Sequence, residues 1–416
     1  MASVTSGPDA VPAVARSGTS EASGRCGPGD APAGAHGSAA WAQSAASHLP
    51  APASGVDPAA LSDRPGEPGR AEPGVAQAAR VAKPPKGRPR AQQARRPRRL
   101  VDGVLLLDKP VGLSSNDALV RAKRVFDAKK AGHTGTLDPL ASGLLPLCFG
   151  EATKFSQDLL DADKRYLAHV RLGVTTDTGD AEGQAVLQRD VTCTAADVHA
   201  VLPRFRGAIE QVPPMYSALK RDGRPLYAYA RAGETVERAA RAVTIHALEL
   251  VDSVWDDAPT LMLDVLCSKG TYVRTLAEDI GEALGCGAHL TGLRRTAVGS
   301  LTLDDAVPLA LLQNDAEPTR HLRPVDALLS TFPAVVLDPS EAQRFGQGQR
   351  LRLEAGRVEA SAASAADAAT AADATDAGDR RVRVYDGAGC LLGLAVYAES
   401  VLSPQRLLVR PIDEPA

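Results

Sequence analysis

Long apolar runs are missing from this chain: none approaches the roughly 18 residues a helix needs to cross a bilayer, so no membrane-spanning helix is expected. The N-terminus has no basic stretch followed by an apolar one, and secretion is not expected either. Cysteine is sparse and scattered: Cys26, Cys148, Cys193, Cys267, Cys286 and Cys390, with no Cys-x-x-Cys pair. Three of these sit among apolar neighbours, where cysteine acts as a small hydrophobe. A disulfide frame and a metal centre are therefore both disfavoured, which fits a reducing, cytoplasmic setting. A net positive charge is absent too, the formal value being −3. That sum merges acidic and basic segments, and a polyanion meets the local distribution rather than the total.

A length of 416 residues suggests two or three domains, yet residues 1–79 are mostly Ala, Pro, Gly and Ser with scattered acids. Such a stretch cannot bury enough apolar surface to offset its ordering entropy, so it is expected to be a disordered tail. Residues 80–99 hold nine Lys or Arg and no acid, which reads as a basic arm attractive to nucleic acid or as a solvated tail. Folding is expected to begin near Leu100. Val104–Leu107 reads as a buried strand, and Ser114 or Ser115 can cap a helix reaching about Phe126. Tyr166, Ala168, Val170 and Leu172 alternate with Leu167, His169 and Arg171, as in a half-buried strand. Residues 195–206 read as helical, Asp222-Gly223 as a tight turn, and 243–254 and 260–267 as strands. A helix should follow from about Tyr272 to Leu284, stopped by Gly285. Strands and helices mix without a βαβ rhythm, so the expected class is α+β. Beyond Pro333, five short strand patterns (334–337, 349–353, 381–385, 391–396 and 406–409) suggest a smaller β-rich module. An Ala-rich stretch at about 355–379 interrupts it; with almost no large apolar residue it reads as a loop insertion.

The segment Gly132-His133-Thr134-Gly135-Thr136-Leu137-Asp138-Pro139, closed by Gly143, is the strongest local signal. Its glycines permit sharp bends, and Pro139 fixes the turn after the acid. A lone carboxylate on a shaped loop, followed by the core run Leu144–Phe149, is a usual placement for a reacting group. From the local pattern alone, an Asx-Pro turn beside a surface histidine serves as well.

Other motifs flank this loop in order: Leu107-Asp108-Lys109-Pro110, Lys164-Arg165-Tyr166-Leu167, Thr176-Asp177-Thr178-Gly179-Asp180, Pro213-Pro214-Met215-Tyr216-Ser217, Gly270-Thr271-Tyr272-Val273-Arg274 and Leu290-Thr291-Gly292-Leu293-Arg294-Arg295. In this order and spacing they resemble the bacterial tRNA pseudouridine synthases of the TruB family. The resemblance spans about residues 100–332, extends loosely over 333–416 and does not include 1–99. It implies a pseudouridine synthase fold with a mixed, mainly antiparallel sheet and a PUA-like C-terminal domain. Residues 214–240 would be the element that closes over the tRNA T-arm. The implied activity is isomerisation of uridine 55 in the T-loop by a cytoplasmic monomer, without cofactor, metal or obligate protein partner.

The resemblance also implies residue roles. Asp138 would be the nucleophile and Arg274 its ion-pair partner. Tyr166 would stack on the target base, Tyr272 would touch the nucleotide, and the Leu293 backbone would bond the uracil edge. His133 would pack near the extruded nucleotide; Asp180, in a polar turn, reads as a supporting residue or equally as a structural Asx turn, and Lys109 as a brace of the loop from the neighbouring strand. Separately from the resemblance, Arg121, Lys123, Arg124, Lys129, Lys130, Lys220, Arg221, Arg224, Arg294 and Arg295 cluster around these motifs and read as phosphate contacts, which position RNA without reading its sequence, or as solvated charges. Competing expectations are a guide-RNA-dependent relative, a non-catalytic tRNA-folding protein, or a carboxylate hydrolase. The last would need a second acid, and none stands out as a partner of Asp138.

Overall fold

A computed structural model describes residues 98–354, 356–358 and 379–408. The expected tail, apart from Arg98 and Arg99, and most of the Ala-rich insertion lie outside the described residues. Arg99 already belongs to the fold, its N–H donating to the Asp127 carbonyl at 2.8 Å and its carbonyl accepting from Lys129 at 2.9 Å.

Eleven strands form the larger sheet. In β1 (Gly103–Lys109), alternate residues feed opposite faces: Leu105 and Leu107 join one apolar cluster, Val104 and Leu106 another. Ser114 caps helix α1 (Ser115–Val125) by accepting the Asp117 N–H, and the helix buries Ala118 and Ala122. Short β2 (Ala131–His133) leads through the Asp138 loop into β3 (Ala141–Phe149), which runs antiparallel to β1. β4 (Lys164–Leu172) buries Ala168, Val170 and Leu172, as its alternation predicts. β5 (Val174–Thr176) and β6 (Ala185–Gln188) form a separate hairpin. A helix over Ala195–Val201, opened by a Thr194/Asp197 capping box, then precedes β7 (Gly207–Gln211).

A second hairpin pairs β8 (Lys220–Arg221) with β9 (Arg224–Pro225). Its turn residues Asp222 and Gly223 have φ of 51° and 78°, the left-handed pair that an Asp-Gly hairpin turn needs. The long β10 (Arg241–Val254) and β11 (Thr260–Cys267) are followed by helix α2 (Val273–Ala283) and β12 (Ala288–Val298). Short β13 (Leu301–Thr302), β14 (Val307–Pro308) and β15 (Leu322–Arg323) complete the sheet. Its order is β14-β1-β3-β12-β4-β11-β10-β7. The β1–β14 and β3–β12 pairs are parallel and the other main-sheet pairs antiparallel, so the α+β expectation holds.

The second sheet comprises β16 (Ala334–Leu337), β17 (Leu351–Arg352), β18 (Arg380–Asp386), β19 (Leu391–Ala398) and β20 (Val401–Leu407), in the order β16-β18-β19-β20-β17. A helix over Pro339–Gly346 went unanticipated, although Asp338 and Glu341 form a capping box around a proline-led first turn. Leu394 of β19 packs into the cluster that holds Val104, Leu106, Leu144, Leu328 and Leu329, which joins this sheet to the back of the larger one. No helix among the described residues is long and apolar enough to cross a membrane.

The parallel β3–β12 contact sets the floor beneath the Asp138 loop. Its register places Leu293 opposite Ala141 and Arg295 opposite Gly143. Gly143 has φ of 98°, and a Cβ there would stand 2.3 Å from the Arg295 carbonyl oxygen. Only glycine lets the two strands approach so closely. Gly143→Ala should therefore lower unfolding free energy by on the order of 3 kcal/mol, combining backbone strain with overpacking. Urea denaturation of the variant checks this, and an unchanged midpoint would contradict the tight crossing.

Candidate active site

Asp138 projects from the loop between β2 and β3, and Ser115 at the start of α1 pins that loop. The Ser115 Oγ accepts the Leu137 N–H at 2.7 Å and donates to the Leu137 carbonyl at 3.0 Å. The Gly112 N–H donates to the Pro139 carbonyl at 2.8 Å, and the Ala141 N–H closes the turn on the Asp138 carbonyl at 3.0 Å. Leu137 is buried while the Asp138 side chain remains 45% exposed, so a fixed backbone presents an accessible carboxylate.

Arg274 meets it from the first turn of α2, where the helix dipole disfavours a cation. The guanidinium is nevertheless buried, with carboxylates on two sides. Its Nη2 lies 2.9 Å from Asp138 Oδ2 and its Nη1 3.5 Å from Asp180 Oδ2. Nη1 also donates to the Thr178 carbonyl at 3.1 Å, and Nη2 to the Tyr216 carbonyl at 2.7 Å. Asp180 is itself buried and held by the Thr178 hydroxyl at 2.6 Å and the Glu182 N–H at 3.1 Å. Asp180 thus both opens an Asx turn onto Glu182 and belongs to the charge cluster.

Two further cations lie beneath the loop. Lys109, at the end of β1, is fully buried and donates to the carbonyls of Pro110 at 2.9 Å and Leu113 at 2.7 Å. Burial lowers its pKa to about 8, against the pull of Asp138, while Arg295 pushes the same way as burial. Lys109 braces the Pro110–Leu113 turn, which in turn is stitched to Pro139 through Gly112. Arg295 is buried as well; its Nε donates to the Leu144 carbonyl at 2.7 Å and its Nη2 to the Gly135 carbonyl at 3.3 Å. It stands opposite Tyr166 of β4, and desolvation lowers its pKa.

Arg294 and Arg295, expected as phosphate contacts, are engaged within the protein instead. Arg295 faces inward because β12 alternates, and Leu293 on the same side is half-buried. Arg294 points the other way but is ion-paired with Asp108 at 2.8 Å. The alternation around Leu293 was the available signal for Arg295. Among the other basic positions, Arg224 pairs with Glu234 and stacks on Tyr229, and Arg221 bonds to the Glu237 carbonyl.

The remaining candidates lie on β2, β4 and β12 and at the start of α2. Tyr166 on β4 is half-buried opposite Arg295, and burial raises its pKa while Arg295 lowers it. Tyr272, at the cap position of α2, is held through its backbone: its N–H donates to Gln211 Oε1 at 3.0 Å and its carbonyl accepts from Gln211 Nε2 at 3.3 Å. Its hydroxyl pKa is raised, first by burial. The charge of Asp138 is felt at Lys109, Tyr166 and Tyr272. Leu293 is half-buried against Ala141 and Ala168, and with Tyr166 it touches the apolar clusters on both sides. His133 on β2 is half-buried; burial and then Arg295 lower its pKa, so the ring is neutral at physiological pH. Sequence reading missed the loop-pinning role of Ser115, the Gln211 clamp and the Tyr216 carbonyl, whose contacts are long-range and carry no local pattern. No group of three His, Cys, Asp or Glu arranged to hold a metal occurs among the described residues.

Comparison with known proteins bears on this constellation. The profile of the TruB family pseudouridylate synthase N-terminal domain matches residues 123–273. That of the tRNA pseudouridylate synthase B C-terminal domain matches 274–330, and that of the pseudouridine synthase II TruB C-terminal region matches 333–408. A tRNA pseudouridine synthase B of Burkholderia mallei (strain NCTC 10247) is 64% identical over 314 residues, 75% of this chain and 98% of that protein. Its counterpart from Cupriavidus metallidurans is 62% identical over 321 residues, 76% of this chain and 96% of that protein. Among solved structures, a Cbf5-Nop10-Gar1 complex is similar with a TM-score of 0.54 at 23% identity, covering 73% of this chain and 84% of that one. An H/ACA RNP bound to a substrate RNA containing 2'-deoxyuridine gives 0.55 at 22%, covering 75% and 86%. These two likenesses concern the fold alone.

Ser115→Ala should leave the buried Leu137 N–H and carbonyl without their shared partner, a loss of about 1–3 kcal/mol. Amide hydrogen exchange at residues 134–140 should accelerate while that of β1 and β3 does not. Unchanged exchange in the loop would show that Ser115 does not hold it.

Proposed function

The chain belongs to the TruB family of pseudouridylate synthases, and we propose that it isomerises uridine 55 in the T-loop of tRNA, with Asp138 as the reacting carboxylate. The observation that carries the residue assignment is the accessible Asp138 carboxylate aimed by a buried guanidinium at 2.9 Å. In the reaction, the N1–C1′ bond of uridine breaks, the base turns, and a C5–C1′ bond forms. The C5 proton leaves and N1 gains one, so the product is an isomer. No electrons are gained or lost and no water is consumed, so the stoichiometry calls for no redox partner. A carboxylate suits this chemistry because it can bond to an electron-poor sugar carbon or accept a proton beside it.

The surroundings fit a nucleotide that has left its stack. Extrusion costs a few kcal/mol, which contacts to the flipped base offset. In this reading Tyr166 stacks on the uracil, Tyr272 lies along the nucleotide and the Leu293 backbone bonds the uracil edge. Neutral His133 fills vacated stacking space. Arg274 and Asp180 position Asp138, and Lys109 braces the turn behind it. The segment 214–240 reaches over the T-arm, and its Tyr216 carbonyl ties that segment to Arg274.

The protein acts in the cytoplasm as a monomer, without a guide or protein partner. Relatives at 62–64% identity that are named for tRNA favour this over the guide-dependent reading, which rests on likeness of fold. The purified chain should convert a transcribed T-arm stem-loop with no added RNA or protein, and failure on that substrate would favour a partner-dependent enzyme. Asp138→Asn should cut turnover by about 10⁴–10⁶, as loss of a nucleophile commonly does, with tRNA affinity changed only a few-fold. Near-normal turnover by a purified Asp138→Asn protein would falsify the assignment of Asp138.

A further inference from the structure

Glu278 is a partly buried carboxyl that the reaction as described does not use. It stands four residues beyond Arg274 on α2, one helical turn along the same side. Its carboxyl lies flat against Gly179: a Cβ there would stand 2.9 Å from both Cδ and Oε1 of Glu278. Gly179 has φ of 73° and sits between Thr178, whose carbonyl accepts from Arg274, and Asp180, whose carboxylate pairs with Arg274. Glu278 therefore backs the turn that holds one side of the guanidinium. We propose that Glu278 is a positioning residue for the isomerisation: from behind the Thr178–Asp180 turn its carboxylate steadies Arg274, and through Arg274 it aims Asp138.

The charges facing Glu278 are Arg274, Asp279 and Glu282 from its own helix and Asp180 from the turn. Glu282 is ion-paired with Arg189 at 2.8 Å. Burial, reinforced by Asp279, Asp180 and Glu282 and opposed by Arg274, pushes the Glu278 carboxyl up to about 7. Its charge therefore changes across the neutral pH range. Because the folded-state pKa lies above the unfolded one, the folded chain binds this proton more tightly. Glu278 thus favours the fold most when protonated, and that benefit is lost as pH rises from the ordinary carboxylate range through about 7. An ionised Glu278 is a burden on stability that serves the site: a second negative charge behind Arg274, together with Asp180, holds the guanidinium while its front face engages Asp138.

This role rests on Asp138 being the reacting carboxylate, and the test separates the two. Full-length wild type, Glu278→Gln and Glu278→Asp are compared in single-turnover conversion of saturating transcribed tRNA from pH 5.5 to 8.5, together with tRNA affinity and thermal midpoint. The wild-type rate should rise with pH through about 7. Glu278→Gln should lack that rise, run about tenfold slower at pH 8 with unchanged affinity, and melt at or above the wild-type temperature at pH 8. Glu278→Asp should regain part of the rise. A Glu278→Gln profile that follows wild type would overturn the proposal. So would a variant that melts lower and is slowed equally at every pH, because a merely structural contact behaves that way. If Asp138→Asn stayed active, the identity of the reacting group would be wrong, whereas the pH-dependent stability difference at Glu278 would persist.

Discussion

The buried guanidinium of Arg274 is the constraint on which the rest of the site depends. A charge removed from water must be compensated, and Arg274 draws its partners from three separate stretches: the Asp138 loop, the Thr178–Asp180 turn and the Tyr216 carbonyl. The rigid planar fork of an arginine fixes the direction of each partner, which a lysine on a flexible stem would not do. The helix that carries it contributes an unfavourable dipole at that position. Stability alone would be served as well by an apolar residue there, since replacing a buried ion pair by well-packed hydrophobes is often neutral or stabilising. What the ion pair supplies is a single geometry for Asp138.

That geometry would drift without a stiff floor. β3 and β12 supply it through their parallel contact at Gly143, where backbone meets backbone with no room for a side chain. β12 then carries Leu293 and Arg295 into register with Ala168 and Tyr166 of β4. Three segments far apart in sequence are thereby locked side by side, and the Asp138 loop enters β3 directly above them. Ser115 and Gly112 tie the loop down from the α1 side. A carboxylate on such a loop has its order set by folding rather than by the arrival of a ligand.

Much of this was legible in the residues. An apolar run marked β1, alternation marked β4, Ser114 was one of two candidate caps for α1, and Asp222-Gly223 marked a tight turn. Each is local chemistry that a sequence displays openly. Clustering around the motifs suggests a phosphate contact at Arg295, but strand alternation puts it on the face opposite Arg294, where carbonyls accept from its guanidinium and make burial tolerable. The helix at 339–346 was overlooked although Asp338, Pro339 and Glu341 carried its start signal; the strand patterns on both sides masked it. Glu278 carried no signal at all, since its meaning lies in what Gly179 places against it. The Asp138–Arg274 pair came from family resemblance, because no periodicity connects a loop acid to a distant helix start.

The distribution of charge resolves the apparent mismatch between an acidic chain and a polyanionic substrate. A net charge of −3 describes the whole sequence, but around Asp138 the buried charges are mostly cations: Lys109, Arg274 and Arg295. Lys109 shows what this costs. Its pKa falls from 10.5 to about 8, so holding it charged at neutral pH forgoes about 3 kcal/mol of folding stability. The sign is that of a depressed lysine: stability declines as pH falls from the unfolded value through about 8, and the deficit is complete at pH 7. Lys109, Arg274 and Arg295 are cations whose water was already stripped during folding. Charges in this condition act more strongly on a bound phosphodiester than solvated lysines on the surface, where salt screens them within about 10 Å. The stability forgone in the free protein thus sustains a positive field around the Asp138 carboxylate.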